Sequence, residues 1–146
     1  MLPLVDFFRQ HKMPIFYATM QPHNRPADDP LLAIVDPLTP QPEEPIIRKQ
    51  FPSAFFQTTL ADDLRERGCD SVILCGNSTS GCVRTAAVDA VQHGFGVTIP
   101  YECVFDRIEA SHMVGLLDLW MKTATVLSSE EVLAKLKLRK EEAHAN

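Results

Sequence analysis

Ser71-Val72-Ile73-Leu74-Cys75-Gly76-Asn77-Ser78-Thr79-Ser80-Gly81-Cys82-Val83-Arg84-Thr85 decides the fold. A short apolar run reads as a buried strand, and the Gly-Asn-Ser-Thr-Ser-Gly stretch turns the chain. A helical pattern then runs to about Gln92, with Val83, Ala87, Ala90 and Val91 expected on one face. Cys82 therefore falls where a buried strand turns into a helix. Helix N-termini offer unpaired N–H groups and a positive dipole end, which favour thiolate, the nucleophilic form of cysteine. Small neighbours let a substrate carbonyl approach the backbone.

Downstream, the same alternation repeats. Strand 95–99 is followed by a helix over 108–121, with Met113, Leu116, Leu117 and Trp120 as its stripe. A strand over 124–127 leads to a helix from Ser128 to Leu138. Upstream, residues 2–8 read as the end of an amphipathic helix and residues 14–19 as a strand. Eight of the eleven prolines lie between 22 and 52, which rules out a regular helix there. That region reads as a long loop anchored by Leu31-Leu32-Ala33-Ile34-Val35, ending in a strand over 45–49. Thr59 to Asp62 resembles a capping box for a helix closed by Gly68. Short apolar strands alternating with helices predict a three-layer α-β-α fold on a mostly parallel, Rossmann-like sheet. Ligands of such sheets sit at the carboxyl ends of the strands, where Cys82 lies. One domain is expected over 1–138, with a polar tail over 139–146.

The bulk properties bound the function. The chain has 146 residues, 23% charged and 45% apolar, the balance of a globular domain. A net charge of −5 with no basic patch argues against nucleic acid as a partner. No apolar run is long enough to span a bilayer, and no secretory leader is evident. Four scattered cysteines do not make a disulfide scaffold, so a reducing cytoplasm is the expected compartment.

Three blocks carry a specific resemblance: Lys49-Gln50-Phe51-Pro52-Ser53-Ala54-Phe55-Phe56-Gln57-Thr58-Thr59-Leu60, residues 76–90, and Asp106-Arg107. Their order and spacing resemble the isochorismatase-like cysteine hydrolases. The likeness is greatest to the branch holding N-carbamoylsarcosine and maleamate amidohydrolases. The resemblance implies Cys82 as nucleophile and Lys49 as the lysine of an Asp-Lys-Cys triad. It also implies a cis peptide at Asn77–Ser78, which would aim the Ser78 and Cys82 N–H groups at an oxyanion. Arg107 matches an arginine that grips a substrate carboxylate, with Thr79 and Phe55 expected beside the substrate. A small anionic amide or carbamoyl compound, cleaved with release of ammonia, is the implied substrate.

The resemblance also predicts differences. Nicotinamidases of the superfamily bind a metal through an Asp and two His residues. Here Thr19-Met20-Gln21-Pro22-His23 supplies no aspartate, so neither metal nor cofactor is expected. Isochorismatase-type vinyl-ether hydrolysis is disfavoured by a cysteine at position 82. The family's triad aspartate ends a first strand that should precede residue 2, and Asp6 cannot replace it. The expectation is therefore a fold lacking its first strand: an N-terminally truncated protein, with poor turnover on its own. The alternative is a catalytically impaired member acting as an oligomeric binding or scaffold module. A homo-oligomer is expected in either case.

Overall fold

The computed structural model describes residues 1–26 and 28–145. Its elements are α1 (Leu2–Gln10), β1 (Tyr17–Met20), β2 (Ile46–Lys49), α2 (Leu60–Glu66), β3 (Ser71–Ile73), β4 (Gly76–Asn77), α3 (Arg84–Gln92), β5 (Gly96–Pro100), β6 (Val104–Phe105), α4 (Glu109–Lys122), β7 (Thr125–Leu127) and α5 (Ser129–Ala145). Every strand pairing is parallel. β1 pairs with β2, β5 lies between β3 and β7, and β4 pairs with β6.

Alternation along the strands produces the layers, because successive side chains point to opposite faces. Val72 and Val126 pack with Val97 and Ile99 under α2, α3 and α4. Their neighbours Ile73 and Leu127 pack on the other face with Leu4 of α1 and Val132 of α5. The core on the first face holds Leu60, Leu64, Ala87, Ala90 and Leu119. This is the three-layer α/β arrangement the alternation predicted. Among the described residues, β1 pairs only with β2, and β3 only with β5.

β4 and β6 continue β3 and β5 beyond the main ladder, in the register Gly76↔Val104 and Asn77↔Phe105. Gly76 takes φ +115°, a conformation open mainly to glycine, where the chain leaves the main ladder. The two strand tips carry Ser78–Cys82 and Asp106–Arg107 side by side.

Several local expectations are corrected. On α3 the buried residues are Ala86, Ala87 and Ala90, preceded by Val83, while Val91 is exposed. On α4, Gly115 and Leu119 face inward, and Met113, Leu117 and Trp120 of the expected stripe are exposed. Of the long loop's apolar insert, Leu32 and Ile34 are half-buried while Leu31 and Val35 are exposed. The loop is also tied down by Arg9, whose Nε and Nη2 each donate at 2.8 Å to the buried Glu44 carboxylate, Nη2 also reaching the Thr39 carbonyl. Thr59 begins α2 but donates its hydroxyl to Asp63 in place of capping a backbone N–H. Ser128 and Glu131 do form a reciprocal cap. Helix α5 runs to Ala145, past the expected stop at Leu138; Asn146 lies outside the described residues.

Candidate active site

Lys49 ends a strand of alternating burial, in which Ile47 and Lys49 face inward and Ile46 and Arg48 outward. A buried ammonium needs acceptors to offset lost hydration. The chain supplies them by folding back on itself. Lys49 Nζ donates to the carbonyls of Phe51 at 3.2 Å and Pro52 at 2.7 Å. It also contacts two sulfurs, Met20 Sδ at 3.1 Å and Cys82 Sγ at 3.3 Å. Met20 is the register partner of Lys49 across the β1–β2 ladder, which explains their meeting.

Cys82 is half-buried in a π turn over Thr79–Val83, where the Val83 N–H reaches the Ser78 carbonyl. The peptide between Asn77 and Ser78 is cis. Thr85 Oγ1 donates to the carbonyls of Gly81 and Cys82, tying the turn to the start of α3.

The neighbouring strand tip fixes the other side of the turn. The Asp106 carboxylate accepts from Ser80 N at 2.9 Å, Ser80 Oγ at 2.6 Å and its neighbour Arg107 N at 2.8 Å. Ser80's donors hold its pKa below the usual carboxylate range. Helix α4 lies against the same turn. A Cβ on Gly115 would stand 3.3 Å from Ser80 Cα, so a side chain there would crowd the turn.

These positions sort the expected site residues. Lys49 and Cys82 come together, and Asn77–Ser78 lies just ahead of the turn. Arg107 is exposed, directly after the Asp106 carboxylate that binds the turn. Two of the residues expected beside the substrate are buried. Thr79 is fully buried, and its hydroxyl pairs with His112 Nδ1 at 2.9 Å, facing α4. Phe55 is buried in the core against His93 and Phe95. The exposed aromatics of that block are Phe51 and Phe56, edge to face at 5.0 Å. They line a groove of about 510 Å³ beside α3, with Ser53, Arg84 and Thr85. His23 is exposed, and among the described residues no three His, Cys, Asp or Glu side chains gather to hold a metal ion.

Sequence reasoning missed Met20, Gly115 and the bonds from Asp106 to Ser80. For Asp106 a signal existed: an acidic residue at a strand end, just before a helix, beside a loop rich in Ser and Gly.

A parallel α/β sheet with a lysine-contacted cysteine in the turn that follows the carboxyl end of a strand defines the class of protein. Comparison with known proteins specifies it further. The chain belongs to the Isochorismatase domain family, which matches residues 2–131. It is 42% identical to maleamate amidohydrolase from Pseudomonas putida over 109 residues, 75% of this chain and 51% of that protein. It is 32% identical to N-carbamoylsarcosine amidase from Arthrobacter over 124 residues, 85% of this chain and 47% of that protein. The chain thus spans about half the length of these curated relatives. An isochorismatase-like hydrolase from Alkaliphilus metalliredigens shares the fold at a TM-score of 0.80 and 24% identity, covering 92% of this chain and 84% of that one.

Proposed function

We propose that this chain carries the nucleophile of an amidohydrolase. The enzyme would cleave the C–N bond of a small, linear amide or carbamoyl compound bearing a carboxylate, maleamate and N-carbamoylsarcosine being the model substrates. The 3.3 Å contact between Lys49 Nζ and Cys82 Sγ carries the reading. A buried ammonium stabilises a thiolate beside it. The thiolate attacks the amide carbon, and the carbonyl oxygen becomes an oxyanion held by the N–H groups of Ser78 and Cys82. The C–N bond breaks, and nitrogen leaves as ammonia after taking a proton. Water hydrolyses the thioester to the acid and restores the thiol. Arg107, exposed at the adjacent strand tip, grips the substrate carboxylate through paired hydrogen bonds. A reducing cytoplasm suits such a thiol.

The test combines ammonia release from both compounds with mass spectrometry of the quenched reaction. Cys82-dependent ammonia, or a thioester on Cys82, is expected, and both vanish in Cys82→Ala. Ammonia release that survives Cys82→Ala, or neither signal with any acidic amide, contradicts the reading.

A second reading rests on α4, whose Met113, Val114, Leu117, Trp120 and Met121 are all exposed. A contiguous apolar helix face of this kind suits a subunit interface. The protein would then be a homo-oligomer, or an oligomeric scaffold if Cys82 is inert. Trp120→Glu should shift the sedimentation coefficient to that of a monomer.

A further inference from the structure

We propose that Cys75 and Cys103 form a reversible oxidation site, closing as a disulfide under hydrogen peroxide. Each cysteine immediately precedes a residue of one register pair, Gly76↔Val104, on the parallel β4–β6 ladder. Parallel neighbours lie about 4.8 Å apart, and equivalent positions point to the same side. Disulfides bridge Cα atoms roughly 4.4–6.8 Å apart, a spacing within reach of two residues that each flank such a register pair. The two thiols are near enough to shift each other's titration in opposite directions. Cys75 is exposed as a residue, whereas Cys103 is buried. The contact with Cys75, and then the N-terminal amine, hold the Cys103 thiol below its usual range and favour its thiolate, while the Cys75 thiol is pushed up. Cys69 has no such help, for burial pushes its thiol up.

The chemistry balances with peroxide as the oxidant. One thiolate attacks a peroxide oxygen, the O–O bond breaks, and a sulfenic acid and water result. The second thiol displaces water from the sulfenic sulfur, and the S–S bond forms. Two thiols and one peroxide give one disulfide and two waters, the sulfurs losing two electrons. The bond would tie the base of the Cys82 turn to the strand that carries Asp106. Nothing in this depends on amide hydrolysis.

The test uses the Cys69→Ser, Cys82→Ala double variant, which leaves only this pair. After an equimolar peroxide pulse and N-ethylmaleimide, the expected product has lost two hydrogens and takes up no maleimide. Tryptic peptides 68–84 and 85–107 should be joined within one chain and released by dithiothreitol. Adding Cys75→Ser or Cys103→Ser should abolish the link. The unsubstituted protein, its Cys82 first alkylated with iodoacetamide, must show the same joined peptides, which removes any dependence on how the variants fold. Two thiols still open to maleimide, a link between chains, or over-oxidation of one cysteine without a link would each overturn the proposal.

Discussion

Asp106 Oδ2 accepts both the backbone N–H and the hydroxyl of Ser80, 26 residues earlier, and so joins the two strand tips that frame Cys82. Asp106→Ala should loosen the Cys82 turn without unfolding the sheet. Alkylation of Cys82 should then slow several-fold, while the far-ultraviolet circular dichroism stays that of the parent. Asp106→Asn, which keeps one acceptor oxygen, should fall between. An unchanged alkylation rate in Asp106→Ala would remove the positioning role.

The Thr79–His112 bond is a second tie between the turn and α4. Thr79→Val keeps the shape and removes the hydroxyl, leaving the His112 nitrogen without its partner. Such a loss costs about 1–3 kcal/mol. Urea denaturation should show it as a lower midpoint at constant slope. No change would mean that water replaces the hydroxyl.

Glu44 gives a pH signature. Its carboxylate is held below the usual range, first by the Arg9 hydrogen bond and then by the Gln41 N–H, against the opposing effect of burial. A carboxylate lowered by folding stabilises fully above its unfolded pKa of ~4.3 and loses that contribution as pH falls through the folded value. Thermal melts of the parent should therefore drop more steeply below about pH 4.3 than those of Glu44→Gln. Parallel curves would count against the clamp.

Helix α4 shows where sequence patterning runs out. Its apolar residues surround the helix: Met113, Leu117 and Trp120 make one regular stripe, and Gly115 with Leu119 makes another. The second is buried because glycine permits close approach to Ser80, and glycine carries no hydrophobic signal. Leu119→Ala should cost about 2–5 kcal/mol, and Leu117→Ala less than about 0.5. Equal losses in chemical denaturation would restore the stripe first expected.

The same limit explains the other errors. Arg9 and Glu44 lie 35 residues apart, and no local pattern foretells their pairing. Phe51, Phe55 and Phe56 fall in one irregular turn with Gln57 at φ +55°, so no strand or helix period says which ring goes inward. By contrast, the strand–turn–helix at 71–92 follows from local order, since an apolar run, small turn residues and a helical repeat agree. The meeting of Lys49 with Cys82 was legible only through the resemblance. The two come from separate ladders, and only the crossing of the chain brings them together.

The most direct test is the rate at which iodoacetamide alkylates each cysteine near neutral pH, followed by peptide mass spectrometry. Cys82 should react at least tenfold faster than Cys69, and Lys49→Met should remove that advantage while leaving Cys69 unchanged. Equal rates at Cys82 and Cys69, or a Cys82 rate indifferent to Lys49→Met, would contradict the account.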